Sequence, residues 1–174
     1  RLPTMVNTDS VLTEVEGDSV LSAGRRVDRA RLAAIAARLL AAVEQATDAL
    51  ADLPDTARQL PDGLIEVPSS AGPIVVAGRD ADIHRGSAAL LVDLGGDDRY
   101  LAGVGTSDNR IPVSVCIDLG GADVYEKFTG FGWLGIGIGV DVSGRDEYAG
   151  EGQGCGVAGV GVLVDREGKD RYRG

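Results

Sequence analysis

Aromatic residues and long apolar runs are scarce in this sequence. Aromatic residues make up 4% of the 174 positions, whereas apolar residues make up 44%, so a buried core has to be built from aliphatic side chains. A transmembrane helix needs about 18 or more consecutive apolar residues, and the sequence contains no run of that length. We therefore expect one domain with an N-terminal extension and no membrane span.

Positive charge is also in short supply. Lys and Arg number 17 against 27 Asp and Glu, which leaves a formal net charge of -10 at pH 7. The phosphates of a nucleic acid would repel such a chain, so a nucleic-acid partner is not expected. The acidic composition is instead compatible with cation binding.

Cysteine and histidine are nearly absent. Cys116 and Cys155 fall at different positions of the repeat described below, so we expect two unpaired, packed thiols. A single histidine, His84, cannot build the usual His-rich metal site. No catalytic partner for it is evident either, so the sequence assigns it no function.

What the sequence does contain is one phrase, Asp-x-x-Gly-x-Asp-x-Tyr, repeated four times between Gly86 and Gly174. The four leading aspartates are 25, 23 and 24 residues apart. A constant period of about 20 to 50 residues is typical of solenoids, in which each repeat stacks on its neighbours. The repeats therefore predict stacked coils.

The segments before each phrase alternate in the manner of β-strands. One parity is mostly β-branched and is predicted to face the interior of the coil: Val92, Ile117, Val140, Val164; Leu90, Val115, Ile138, Val162; and Ala88, Val113, Ile136, Val160. The other parity is small: Ala89, Ser114, Gly137 and Gly161. We predict a mainly β protein in which residues 72–174 form a parallel β-helix of about four 24-residue coils, with two or three short strands in each coil.

The N-terminal extension, residues 1–71, is predicted to hold one amphipathic helix over about residues 25–51 that ends before Pro54. Its apolar stripe is Leu32, Ile35, Leu39, Ala42, Ala46 and Leu50. The helix is expected to cap an open end or the small-residue face of the solenoid, and the alternative is a dimerising helix. Residues 54–71 are predicted to be a linker with about one helical turn, and residues 72–85 a degenerate first rung in which Val75 replaces the leading Asp.

Two glycine runs match G-x-G-x-x-G, the dinucleotide-binding pattern: residues 130–135 and 154–159. That pattern binds a nucleotide only between a strand and a helix, whereas both runs continue into strand-like alternation. The second run also repeats the first one coil later. The glycines are therefore attributed to close approach of chain layers.

The repeated phrase is where chemistry is expected. Stacking at about 4.8 Å aligns like aspartates into two columns, whose members are the candidate metal ligands Asp93, Asp118, Asp141 and Asp165, and Asp98, Asp123, Asp146 and Asp170. Such columns are destabilising unless a hard cation such as Ca²⁺ lies between the coils, or each Asp accepts hydrogen bonds from the N–H groups of its own turn. Both explanations remain open.

The turns Gly95–Tyr100 and Gly120–Tyr125 resemble the glycine- and aspartate-rich repeats of RTX-type proteins. In that family a nonapeptide, Gly-Gly-x-Gly-x-Asp followed by a large apolar residue, builds a calcium-bound parallel β-roll. The resemblance covers the turns alone, because the period here is near 24 residues and Tyr takes the place of the apolar residue. It implies calcium ligation by the aspartates and an extracellular or cell-surface protein that calcium stiffens.

Four tyrosines end the phrases and are expected to stack as a ladder: Tyr100, Tyr125, Tyr148 and Tyr172. A buried ladder would stabilise the solenoid, whereas an exposed ladder would offer ring faces to a carbohydrate.

Three classes of function remain open. The first is a structural or interaction module, stabilised by calcium and self-associating through an open C-terminal coil. The second is a carbohydrate-binding or carbohydrate-cleaving β-helix, and the regularity of the carboxylates argues against it, since active sites break a repeat. The third is a non-catalytic appendage of a larger enzyme, which is compatible with a chain that begins at Arg1 rather than Met. The sequence thus favours a protein without enzymatic activity.

Overall fold

The computed structural model describes residues 22–57, 60 and 63–173. These residues form one long helix, α1 (Arg29–Ala51), a short 3₁₀ helix (Asp55–Ala57) and a series of short strands. The strands are β1 (Leu64–Val67), β2 (Ile74–Ala77), β3 (Ile83–His84), β4 (Leu90–Asp93), β5 (Arg99–Tyr100), β6 (Val113–Asp118), β7 (Val124–Tyr125), β8 (Gly132–Trp133), β9 (Ile136–Asp141), β10 (Glu147–Tyr148), β11 (Gly156–Val157), β12 (Val160–Asp165) and β13 (Arg171–Tyr172).

The strands stack into a parallel β-solenoid, as the repeat predicts. The longest strands form sheet 1, in the order β1-β2-β4-β6-β9-β12, and the short strands around the tyrosines form sheet 2, in the order β3-β5-β7-β10-β13. The third side of the coil consists of β8 and β11, extended by isolated bridges at Val104–Thr129 and Ser107–Gly132. The solenoid makes about three turns rather than the four expected. Its first rung is shorter than the later ones. The pairing of Ile74 in β2 with Leu90 in β4 shows this, because these two residues are closer in sequence than one repeat period.

The register of the long strands is the predicted one, but the two faces are exchanged. Ile117 pairs with Val140, and Asp118 with Asp141, as the spacing requires. The β-branched row nevertheless faces outward from the coil, where it packs in one cluster with α1. The small-residue row faces inward, because the backbone of the third side crosses directly against it: a Cβ on Gly137 would clash with the carbonyl oxygens of Phe131 and Gly105. The coil is too thin to hold the larger row.

Helix α1 covers the β-branched face of sheet 1, and it neither caps an end of the solenoid nor lies on the small-residue face. Asp28 caps its N-terminus by accepting a hydrogen bond from the Arg31 amide, 3.0 Å away, and the helix ends three residues before Pro54. Its buried face is offset from the predicted stripe and comprises Leu32, Ala36, Leu39, Leu40, Val43, Thr47 and Leu50. Ile35, Ala42 and Ala46 are exposed instead. An ion pair between Asp48 and Arg166, 2.6 Å long, joins the helix to the end of β12.

The predicted linker contributes both a helical turn and a strand. Strand β1 pairs antiparallel with β2 and lies at one edge of sheet 1. The first rung is degenerate as expected, but its register differs: Ala77, not Val75, occupies the position of the leading Asp, since Ala77 pairs with Asp93. Both cysteines are free; Cys116 is buried as predicted, whereas Cys155 is exposed. Within the described residues, no helix has the length and apolar character required to cross a membrane.

Candidate functional site

The repeated phrase places two columns of aspartates side by side along the solenoid. We call Asp93, Asp118, Asp141 and Asp165 the inner column, and Asp98, Asp123, Asp146 and Asp170 the turn column. The inner column ends the strands of sheet 1, and its members pair coil to coil. The first three members of each column are buried, and the last member of each is half-buried. Six carboxyl groups are thus enclosed in a chain that has little positive charge to offset them.

The inner column is hydrogen-bonded to the tyrosine ladder. The Tyr100 hydroxyl lies 2.6 Å from Oδ2 of Asp118 and 3.3 Å from Oδ2 of Asp93. The Tyr125 hydroxyl lies 2.9 Å from Oδ2 of both Asp118 and Asp141. The rings stack with centroids 4.5 to 4.7 Å apart, which is the spacing of adjacent coils. Stacked aromatic rings and buried carboxyl groups therefore form one continuous network.

This network has to share protons. A phenol carries one proton and can donate one hydrogen bond, yet the Tyr125 hydroxyl contacts two carboxyl oxygens at equal distance. One of the two contacts is favourable only if Asp118 or Asp141 itself carries a proton and donates it to the phenol oxygen. Burial raises the pKa of both carboxyl groups, and their nearest acidic neighbours raise it further. Without a bound cation, at least one carboxyl group of the inner column is therefore protonated and uncharged.

The turn column joins adjacent coils through its backbone. Oδ1 of Asp123 accepts a hydrogen bond from the Asp98 amide at 2.7 Å, and Oδ1 of Asp146 accepts one from the Asp123 amide at 2.8 Å. The same bond recurs from Asp82 to Asp98 and from Asp146 to Asp170. These donors belong to the neighbouring coil. Donors from the same turn serve the inner column, in which Gly120 donates to Oδ1 of Asp118 at 2.9 Å.

Hydrogen bonding satisfies only part of the turn column. Among the described residues, the second carboxyl oxygen, Oδ2, has no hydrogen-bond partner in Asp98, Asp123 or Asp146, although each of these side chains is buried. Oδ1 of Asp141 is unpartnered as well. A buried carboxylate oxygen without a partner is costly, so each of these atoms needs a proton or a cation.

The unpartnered oxygens lie where the two columns meet. Three groups of potential ligand atoms occur at successive levels, and the atoms of each group lie within 4.8 Å of one another. We call them the His trio (His84, Asp93, Asp98), the first Asp trio (Asp98, Asp118, Asp123) and the second Asp trio (Asp123, Asp141, Asp146). Neighbouring trios share one turn-column residue. The sequence-predicted ligands Asp165 and Asp170 belong to none of the trios found among the described residues.

Burial is the main cause of the altered acidity in the turn column. It raises the pKa of Asp98 to about 7 and that of Asp146 to about 6, and the neighbouring acids add to the increase. The pKa of Asp123 is raised further, because burial and the adjacent Asp118 act together. These carboxyl groups can be neutral at a pH where exposed aspartates are ionised.

The tyrosine ladder is inside the coil. Tyr100, Tyr125 and Tyr148 are buried, so their ring faces are closed to a carbohydrate. Tyr172 is the exception and is 54% exposed. The ladder is therefore a packing element and not a sugar-binding platform over most of its length.

His84 is a member of the site that the sequence did not identify. It pairs with Tyr100 in sheet 2 and stacks on that ring with centroids 4.7 Å apart, so it occupies the tyrosine position of the first rung. Its Nε2 lies 2.8 Å from Oδ2 of Asp93. In the later coils, the tyrosine hydroxyls contact the equivalent Oδ2 atoms of the inner column. The signal that would have found it is the pair Asp82 and His84, which keeps the Asp-x-Tyr spacing of the later phrases.

Comparison with known proteins identifies no family for this chain: no family model matches it, and neither a curated protein nor a solved structure is significantly similar to it.

Proposed function

We propose that this chain is a structural or interaction module, a β-solenoid whose acidic interior is completed by hard divalent cations, with calcium as the preferred ion. The observation that supports it best is the set of buried carboxyl oxygens without a partner at the two Asp trios. The resemblance of the turns to RTX-type repeats points in the same direction. No residue in this proposal has a catalytic role.

The size and chemistry of the Asp trios suit calcium. Ca²⁺ binds oxygen at about 2.3 to 2.6 Å, so two ligands of one ion are at most about 5 Å apart. The ligand atoms within each trio meet that limit. The five carboxylates of the two trios have ten oxygens, and two calcium ions take about six to eight each, so carbonyl or water oxygens would complete the coordination.

Charge supports two ions rather than one. The two Asp trios together contain five carboxyl groups, since Asp123 belongs to both. Two divalent cations would offset four of the five negative charges, and one shared proton would leave these five carboxyl groups neutral. The proton that the Tyr125 contacts require is compatible with that balance.

Calcium should therefore stabilise the fold, and Asp123→Asn should remove most of that effect. Binding at a free concentration a hundredfold above Kd adds about 2.7 kcal/mol, which corresponds to roughly 5 to 10 °C in melting temperature for a chain of this size. The measurement is the difference in melting temperature between excess calcium and excess chelator. This difference isolates cation binding, because Asp123→Asn also relieves repulsion in the chelated protein.

Asp97→Asn is the matched control. Asp97 is exposed and lies next to Asp98, so the same chemical change there should leave the calcium effect intact. An unchanged melting temperature of the parent chain between calcium and chelator would reject the calcium proposal. The bare-turn explanation, with protonated interior carboxyl groups, would then stand.

We also propose that the chain self-associates at the C-terminal side of the solenoid. Among the described residues, no strand pairs with the outer edges of β12 and β13, and β12 is half-buried where β9 is buried. An uncovered edge favours strand addition by a second copy. Tyr172→Lys should reduce the dimer fraction in a mass-photometry concentration series, and Ile65→Lys in β1, the other edge strand of sheet 1, tests whether that edge associates instead. A parent chain that is monomeric at all concentrations would refute this part.

An extracellular or cell-surface location follows as part of the proposal. Calcium modules outside cells bind with Kd of about 0.1 to 1 mM, a range that a partly protonated carboxylate site can supply. Fractionation of the native host with an antibody to the chain would test it, and recovery in the cytosol alone would contradict it.

A further inference from the structure

We propose that the His trio is a separate site for a divalent transition metal such as zinc. The site lies at the N-terminal entrance to the solenoid interior. The inference goes beyond the calcium proposal and concerns a different ion, and of the three ligands only Asp98 also belongs to an Asp trio. It rests on one substitution in an otherwise regular ladder. Where later rungs place a tyrosine, this rung places His84.

The donor atoms of the His trio differ from those of the Asp trios. His84 supplies an imidazole nitrogen, whereas Asp93 and Asp98 supply carboxylate oxygens. Zinc and similar ions bind histidine nitrogen and carboxylate oxygen at about 2.0 to 2.2 Å, whereas calcium prefers oxygen alone. Three protein ligands with a remaining position for water equal the ligand count of accessible zinc sites, although the His trio supplies one nitrogen and two carboxylates.

Burial supports a ligand at Asp98, the residue that the His trio shares with the first Asp trio. Asp98 is 1% exposed, and its Oδ2 has no hydrogen-bond partner among the described residues. Asp82, which pairs with Asp98 through its amide, also has an unpartnered Oδ2. The stack on Tyr100 orients the His84 imidazole, and its 2.8 Å hydrogen bond with Asp93 is a contact that an ion bound by both residues would replace.

The first rung also provides an entrance. A cavity of about 320 Å³ lies beside it. His84, Glu66, Ser87 and Leu91 are among its lining residues. An ion can therefore approach His84 from this cavity, with the exposed carboxylate of Glu66 on the way. The Asp trios lie deeper in the stack of coils.

The experiment uses the full chain without a histidine tag, in excess calcium at about pH 8, where the imidazole is neutral enough to bind a metal. Cobalt(II), a spectroscopic substitute for zinc, is then titrated, and the titration is repeated without calcium because Asp98 also belongs to the first Asp trio. One equivalent should produce visible d–d absorption and a paramagnetic shift of the imidazole proton signals. The shift is unambiguous, because His84 is the only histidine in the sequence.

His84→Tyr is the decisive variant, since it restores the residue that the other rungs carry and preserves the stack. It should weaken zinc and cobalt binding at least tenfold. Asp98→Asn should do the same, and Asp97→Asn should not. The direct imidazole signal of the parent chain decides the question even if a variant folds poorly.

The outcomes separate this inference from the calcium proposal. Equal cobalt affinity in the parent chain and His84→Tyr, or an unshifted imidazole signal at one equivalent, would overturn it. His84→Tyr should keep the calcium-dependent melting shift, because both Asp trios remain. A parent chain without a calcium effect but with His84-dependent cobalt binding would reject the proposed function and uphold this site.

Discussion

Gly137 illustrates how single residues determine where the chain can pass. A Cβ added to it would overlap the carbonyl oxygens of Phe131 and Gly105, which belong to the third side of two successive coils. A side chain there would push the third side away from sheet 1 and open the coil. The small-residue row in the sequence thus marks the positions where the backbone of the third side packs against the backbone of sheet 1.

Gly137→Ala should therefore be strongly destabilising, by about 3 kcal/mol or more, because the obstruction is backbone and not a flexible side chain. Gly86→Ala is the control: nothing lies within 4 Å of a Cβ at that position, so its free energy of unfolding should change by less than about 1 kcal/mol. Urea denaturation of both variants measures the difference. Similar stability of the two variants would contradict the inward orientation of this row.

Individual site residues could be predicted in the repeats that keep the complete Asp-x-x-Gly-x-Asp-x-Tyr phrase. They were missed in the first rung, which does not keep it. The spacing alone placed Asp118 and Tyr125 in columns, and the structure stacks them accordingly. His84 was not assigned to the site from the sequence, because its rung lacks both the leading Asp and the Tyr of the repeated phrase. The rung is also shorter than the repeat period. A period search cannot align a rung of different length.

At the scale of elements, the alternation in the long strands reveals two faces but does not say which is inside. Both faces of sheet 1 are buried, one against the coil interior and the other against α1. The larger, β-branched face suited a core, and it does form one, with the helix. The β-branched core lies outside the coil because the coil interior is too narrow to hold it. No local sequence pattern predicts the width of the coil.

Ile138→Ala tests the helix-covered core. Ile138 is fully buried in the cluster that includes Ala36 and Val43 of α1, so the substitution should cost about 2 to 4 kcal/mol. Val113 belongs to the same row but is 40% exposed, and Val113→Ala should cost less than about 1 kcal/mol. Chemical denaturation of the two variants provides the comparison. Equal costs would mean that α1 does not cover β9 more closely than the start of β6.

At the scale of the whole molecule, period and parity were enough to predict a parallel solenoid with an N-terminal helix. The short first rung and the antiparallel strand β1 were not predictable, because they depart from the repeat. Two of the three sides of the coil carry recognisable strands, whereas the third consists largely of glycine-rich crossings held by isolated bridges. Such crossings have little periodic side-chain signal.

The enclosed carboxyl groups should make the stability of the whole solenoid fall as pH rises when no cation is present. In the unfolded chain an aspartate titrates near pH 3.9. Burial raises the folded-state pKa of Asp146 to about 6 and of Asp98 to about 7, and it raises those of Asp123 and Asp141 as well. The folded state therefore holds more protons than the unfolded state above about pH 4, and the stability they contribute is lost as pH rises through the folded-state pKa values.

Urea unfolding in excess chelator at about pH 5, 6.5 and 8 should show this decline, and Asp123→Asn should flatten it, because its uncharged amide has no proton to lose. Calcium binds the ionised carboxylates, so its stabilising effect should grow over the same interval and oppose the decline. Surface repulsion from the net negative charge also increases with pH, but Asp97→Asn, which changes that charge equally, should leave the slope as it is. Constant or rising stability in chelator between pH 5 and 8 would mean that the interior carboxyl groups are already ionised in the folded chain, against the proton sharing that the Tyr125 contacts require.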